Sequence, residues 1–146
     1  MKASLLLAAA LAVSNMSASA QQPGSGAATP KAGAATPTVE APHKNVTPDE
    51  AEKVIQSVKD IVVVDVRTPE EFAAGHIAGA ANVSLLDADF DRKIKEYQGK
   101  PLLLHCASGS RSARALTKMR NLQFPEIYHM NGGMRAWESA GKPVAK

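Results

Sequence analysis

Cysteine is almost missing from this chain: of 146 residues, Cys106 alone carries a thiol. That excludes an internal disulfide framework and any zinc site built from several thiolates. Aromatic residues are scarce as well, with three Phe, two Tyr and one Trp scattered along the sequence, which argues against a stacking platform for single-stranded nucleic acid. A dominant charge is lacking, since 17 basic residues face 14 acidic ones for a net +3, and no Lys/Arg-rich block marks a nucleic-acid partner. Long apolar runs are lacking too, and a membrane span needs roughly 20 such residues. The 4 histidines are separated and never adopt the H-x-x-x-H spacing, so neither a metal nor a cofactor is expected. What is present is a 45% hydrophobic composition, suited to one globular domain.

Residues 1–20 read as an export address. Met1-Lys2 gives a positive start, residues 5–13 an apolar core, and Ala18-Ser19-Ala20 the small-residue spacing that a signal peptidase cuts after. No cysteine follows the core, so lipid attachment there is excluded, and the expected location is the periplasm or the exterior. Residues 21–42 then change composition abruptly, with Ala-Ala-Thr-Pro at 27–30 and again at 34–37. Such a stretch lacks the large apolar side chains that offset ordering entropy, and it reads as a flexible Ala/Pro/Gly-rich linker. Residues 43–146 remain as the folded domain, nearly neutral in charge.

Within 43–146 strand and helix signals alternate. Thr47-Pro48-Asp49-Glu50 offers an N-cap, a proline at the first helical position and a reciprocal carboxylate, and Ala51, Val54, Ile55 and Val58 continue at helical spacing. The β-branched run 61–64 predicts a strand buried on both faces. Thr68-Pro69-Glu70-Glu71 repeats the capping pattern for a short helix that Gly75 should end, and a brief strand is expected near Asn82-Val83. Phe90, Ile94 and Tyr97 mark a further helix closed by Gly99. Strands at 102–104 and 127–130 and helices at 111–122 and 133–139 complete the order, with Gly141 and Pro143 stopping the last. Repeated β-then-α units with apolar strands predict an α/β fold whose parallel sheet is covered on both faces.

In open sheets of this kind chemistry sits beyond the carboxyl ends of the strands. Cys106 falls there, opening the loop Cys106-Ala107-Ser108-Gly109-Ser110-Arg111. Small residues, and the freedom of Gly109, let such a loop turn its N–H donors inward as a nest for an anion. An ordinary thiol, with a pKa of about 8.5, is mostly protonated at neutral pH; making thiolate the main form needs a shift of ~2 units, about 2.7 kcal/mol. A helix N-terminus supplies ~0.3–1 kcal/mol and at best ~2, so loop amides or Arg111 have to contribute the rest. A strand-end cysteine by itself reads first as a small buried hydrophobe. The glycine-bearing loop, the helix after it and Arg111 favour the nucleophile.

Asp65-Val66-Arg67-Thr68-Pro69-Glu70-Glu71-Phe72, followed by Gly75-His76-Ile77-Ala78-Gly79-Ala80, resembles the N-terminal signature of rhodanese-homology domains. The Cys106–Arg111 loop resembles their six-residue active-site loop, and Gly132-Gly133, Trp137 and Ala140-Gly141-Lys142-Pro143-Val144 resemble their C-terminal signature. Ala78 stands where the family often has proline, a departure that affects a turn and not the chemistry. The resemblance runs through nearly all of 43–146. It implies a three-layer sandwich with a central parallel sheet of about five strands. It also implies a sulfurtransferase, of the thiosulfate:cyanide type, in which Cys106 cycles between thiolate and persulfide. Ala107, Ser108, Gly109, Ser110 and Arg111 would then bind the substrate, through their amides and through the charge of Arg111. The expected partners are small sulfur-containing anions and thiol acceptors.

Two other readings stay open. Cysteine phosphatases and arsenate reductase-like enzymes place five residues between cysteine and arginine, where this loop has four, a tighter cradle that favours one terminal sulfur over a tetrahedral oxyanion. Some rhodanese-like domains are non-catalytic binding or regulatory modules, usually when the cysteine is missing. Asp65 and Arg67, at a strand end, read as a structural ion pair before a catalytic one. His105 should point to the opposite sheet face from Cys106, which makes it a poor base for that sulfur. His76 is expected to pack or bond within its turn, and Trp137 to join the core. Arg114, Lys118 and Arg120 form a solvated helix face, with attraction of thiosulfate by Arg114 and Lys118 as the sharper alternative.

Overall fold

The computed structural model describes residues 40–146. The expected leader at 1–20 and all but the last three residues of the expected linker at 21–42 lie outside the described residues. The elements run β1 (Lys44–Val46), α1 (Pro48–Ser57), β2 (Val62–Asp65), α2 (Pro69–Ala74), β3 (Ala81–Asn82), α3 (Phe90–Lys95), β4 (Leu102–His105), α4 (Ser110–Met119), β5 (Ile127–Met130) and α5 (Gly133–Ser139). The five strands form one sheet in the order β1-β5-β4-β2-β3, and every pairing is parallel. Alternation along the strands sends side chains to two separate cores. Val64, Leu102, Leu104 and Ile127 pack with Phe90 and Ile94 of α3 and Leu116 and Met119 of α4. Val63, Leu103 and Met130 pack on the other face with Ala51 of α1 and Met134 and Trp137 of α5. The sheet therefore lies between two helical layers, as expected.

Local chemistry sets most boundaries. Both Thr-Pro-x-Glu segments form reciprocal capping boxes, Thr47 with Glu50 and Thr68 with Glu71, and so start α1 and α2 where the sequence predicts. β2 begins one residue later than the apolar run, because Asp60 takes a left-handed φ of 58° and the Ile61 N–H turns back to the Val58 carbonyl. It also runs one residue further, since Asp65 pairs with Asn82 and His105. α4 stops at Met119, short of residue 122, where the Leu122 N–H turns back to the Met119 carbonyl at 2.8 Å. Gly75 ends α2 without a left-handed cap: its backbone is extended, and a Cβ there would lie 2.7 Å from Val144 Cγ1.

Two features at the amino end differ from the sequence expectation. The strand β1 was not foreseen, since Lys44-Asn45-Val46 carries no apolar run and becomes a strand only by pairing with β5. Ala41, which composition places in the linker, is 1% exposed and donates its N–H to the Leu116 carbonyl at 3.0 Å. The packed domain thus includes Ala41, ahead of the expected boundary at residue 43.

Candidate active site

The loop from Cys106 leaves the carboxyl end of β4 and enters α4 at Ser110. At Gly109 the backbone takes a φ of 103°, open to glycine and strained for other residues, and this turns the Gly109 N–H onto Cys106 Sγ at 3.1 Å. The opposite edge of the loop is held by α5. Its Met134 N–H donates to the Cys106 carbonyl at 2.8 Å, and its Arg135 N–H to the Ala107 carbonyl at 3.0 Å. With those carbonyls drawn away, the following amides are left to face the sulfur. Gly133 makes the approach possible: a Cβ on it would stand 2.2 Å from the Cys106 carbonyl oxygen.

Cys106 is 1% exposed, at the floor of the loop, while Ser108 and Ser110 sit exposed above it. Burial pushes its thiol up, but the Ser112 hydroxyl and the backbone N–H groups of Ser112, Ser108 and Gly109 outweigh that and bring it below the ordinary value. The arrangement stabilises a negative sulfur in a small, nearly covered space.

Arg111 faces a carboxylate. Its two terminal nitrogens reach Glu71 at 2.6 and 2.7 Å, a bidentate pair joining α4 to α2. Glu71 also accepts the Thr68 N–H, and the Arg111 hydrogen bond leads the causes that hold its carboxyl down at about 2. Arg67 reaches Asp65 through Nε and Nη2, the latter at 2.7 Å, and donates from Nη2 to the Gly75 carbonyl at 2.6 Å. Asn82 Nδ2 donates to the Asp65 and Arg67 carbonyls. Asp65 and Arg67 thus brace the segment carrying Glu71, and Glu71 anchors Arg111. None of their bonds goes to Cys106.

A polar chain that the sequence reading missed lies behind the sulfur. Ser112 Oγ is 3.5 Å from Cys106 Sγ, 2.9 Å from the Gly109 carbonyl and 2.7 Å from His129 Nε2. His129 Nδ1 is 3.0 Å from Asn45 Oδ1. Ser112 could have been found as the residue after Arg111, on the buried face of α4. His129 could have been found by alternation, since it shares the α4 side of β5 with Ile127. Asn45 carries no sequence signal, because it depends on the unforeseen β1.

The remaining candidates have structural surroundings. His105 is fully buried, with Nδ1 3.4 Å from the Cys106 carbonyl and Nε2 unbonded 3.9 Å from Asp65 Oδ2, and burial holds it below the ordinary histidine value. His76 stacks on Phe72 with centroids 3.9 Å apart and lies 3.0 Å from the Phe72 carbonyl through Nδ1. Trp137 is in the core and donates to the Pro143 carbonyl. Arg114, Lys118 and Arg120 are exposed, and Arg114 and Lys118 join Leu85 and Thr117 around a groove of about 250 Å³. A cavity of about 510 Å³ opens at the other end of the sheet, between the start of β1 and the turn before β5, away from the thiol.

The model of the rhodanese-like domain family matches residues 47–140. The uncharacterized Bacillus subtilis protein YqhL is 40% identical over 84 residues, which are 58% of this chain and 64% of YqhL. The thiosulfate sulfurtransferase GlpE of Pseudoalteromonas translucida is 33% identical over 82 residues, 56% of this chain and 77% of that protein. The crystal structure of a rhodanese-related protein from Thermoplasma volcanium superposes with a TM-score of 0.59 at 28% identity, covering 70% of this chain and 98% of that one. The chain spans less than two thirds of the length of YqhL.

Proposed function

This chain belongs to the rhodanese-like domain family, and we propose that it is a sulfurtransferase working through a persulfide on Cys106. The observation that carries the reading is the Gly109 N–H aimed at Cys106 Sγ at 3.1 Å, within a loop whose donors bring the thiol below its ordinary value. A thiolate held this way attacks the outer sulfur of thiosulfate or of a persulfide donor. The new bond joins Sγ to that sulfur, the donor's S–S bond breaks, and its electron pair leaves with sulfite or a thiolate. Cyanide or an acceptor thiolate then attacks the outer sulfur, and the Sγ–S pair returns to Cys106. The amides from Ala107 to Arg111 would hold the anionic persulfide, and the Arg111 guanidinium, its charge matched by the Glu71 carboxylate, would fix the end of the loop against α2 rather than supply a net positive field.

The leader-like residues 1–20 support export to the periplasm or exterior, where a lone thiol has no internal partner with which to form a disulfide. Small sulfur anions and thiol acceptors are the partners this site fits. The near-complete cover over Cys106 favours a second reading, a binding module whose cysteine is a packed remnant. Thiocyanate formation from thiosulfate and cyanide separates the two. Sulfur transfer requires turnover by the wild type and none above background by Cys106→Ala; equal rates in both would leave the binding module.

A further inference from the structure

The nucleophile has to lose a proton at a place where it is 1% exposed, so bulk water is poorly placed to take it. The polar chain behind the sulfur is better placed. Ser112 has one hydroxyl proton and three acceptors around it: Cys106 Sγ at 3.5 Å, the Gly109 carbonyl at 2.9 Å and His129 Nε2 at 2.7 Å. Which one receives the proton depends on His129. With Nδ1–H donating to Asn45 Oδ1 at 3.0 Å, a neutral ring presents its Nε2 lone pair to Ser112 and draws the hydroxyl proton away from the sulfur. A ring protonated at both nitrogens donates from Nε2 to Ser112 Oγ, and the hydroxyl proton is then free to turn onto a thiolate, a stronger acceptor than the neutral Gly109 carbonyl.

We infer that His129, oriented by Asn45, acts through Ser112 as the positioning residue that sets the proton on Cys106. The proton moves along the chain without loss: the S–H passes its proton to Ser112 Oγ while the Ser112 hydroxyl proton passes to His129 Nε2. The products are a thiolate and an imidazolium: Nδ1–H donates to Asn45 Oδ1, Nε2–H to Ser112 Oγ, and the Ser112 O–H to the Cys106 thiolate. The use of this relay in turnover rests on the sulfur-transfer reading; the coupling itself does not.

Several groups face His129 and set its balance. From the segment before β1, His43 lies edge-on with centroids 5.7 Å apart, and its Nε2 is 3.9 Å from Glu40 Oε2. β1 contributes Asn45, α4 contributes Ser112, the loop contributes the Gly109 carbonyl, and β4 leads to Cys106 through Ser112. Burial and the His43 ring hold His129 below the ordinary histidine value, against the opposing pull of Glu40 and the Gly109 carbonyl. A thiolate at Cys106 should raise it.

The test follows the thiol by its ultraviolet thiolate absorbance and His129 by its imidazole NMR signals, each against pH. The thiol of wild type should titrate in two coupled steps, and that of His129→Gln in one, with its midpoint moved by about one pH unit, tenfold in proton affinity. In a Ser112→Ala background the His129→Gln change should do nothing to the thiol. The imidazole of His129 should titrate higher in wild type than in Cys106→Ala, since a thiolate at the end of the relay stabilises the imidazolium as the imidazolium stabilises the thiolate. This last comparison leaves the chain's histidine untouched and stands even if His129→Gln fails to fold. Identical His129 titrations with and without Cys106 would overturn the inference. Neither measurement involves sulfur transfer, so a protein that forms no thiocyanate yet shows the coupling would refute the proposed activity alone.

Discussion

Gly133 tests the way the loop is built. Replacing it with alanine introduces two separate penalties. Its φ of 56° is a left-handed conformation, which costs a residue with a side chain ~1–2 kcal/mol. The new Cβ would also lie 2.2 Å from the Cys106 carbonyl oxygen and 2.7 Å from the Ala107 carbonyl carbon, both backbone atoms that no rotamer change can move. Relief requires α5 to withdraw from the loop, breaking the Met134 and Arg135 N–H bonds to the Cys106 and Ala107 carbonyls. Each such bond contributes ~0.5–1.5 kcal/mol, and more if its carbonyl is left buried and unpaired. The expected loss in urea unfolding is therefore about 2–5 kcal/mol, a large part of a typical ~5–15 kcal/mol stability. Gly99→Ala is the matched control: its φ is 82°, yet no atom lies within 4 Å of the added Cβ, so only the backbone strain applies. In Gly133→Ala the released carbonyls should also disturb the inward amides, and the Cys106 thiol should titrate higher than in wild type. A Gly133→Ala protein no less stable than Gly99→Ala, with an unchanged thiol, would refute this account of the cradle.

Other perturbations separate the supporting parts. Glu71 has its carboxyl lowered to about 2 by Arg111, so the pair stabilises the fold above the ordinary carboxylate range and loses that effect as pH falls through about 2. Its side chain is 35% exposed, and screening limits the effect to ~1 kcal/mol; the stability gap between wild type and Glu71→Gln should therefore narrow as the solution is acidified from neutral, and a constant gap would contradict the pairing. Asp65→Asn leaves the Arg67 guanidinium buried beside a neutral partner, with an expected loss of ~3–5 kcal/mol by chemical unfolding; a loss under ~1 kcal/mol would show that the ion pair is incidental. If the exposed cations of α4 attract anionic donors, Arg114→Gln should lower thiosulfate kcat/KM several-fold and flatten its salt dependence. Lys118→Gln should do less, because Lys118 Nζ lies 3.8 Å from Asp91, and unchanged values for both would end the steering idea.

The parts legible in the sequence are those fixed by neighbours along the chain. The two Thr-Pro-x-Glu boxes locate α1 and α2 because each cap closes over three residues. The apolar runs locate β2, β4 and β5, and their alternation places His105 and Cys106 on opposite sides. The segment Lys44–Val46 was illegible, since three residues without an apolar run become a strand only beside β5. The partner of Arg111 is hidden for the same reason: Glu71 lies 40 residues away and reads locally as part of a helix cap. Ser112, His129 and Asn45 come from three different elements, and nothing local to any of them signals the other two. The cover over Cys106 is a property of the packed loop and α5 together, which no sequence pattern expresses.

The central claim is that Cys106 carries a transferable sulfur, and mass spectrometry of the peptide bearing Cys106 tests it most directly. After incubation of the protein with thiosulfate, that peptide should gain the mass of one sulfur atom. Brief cyanide treatment should then remove the gain, which distinguishes a persulfide from a sulfinic acid of nearly equal added mass. A peptide that never gains the sulfur, or a gain that cyanide leaves in place, would contradict the account.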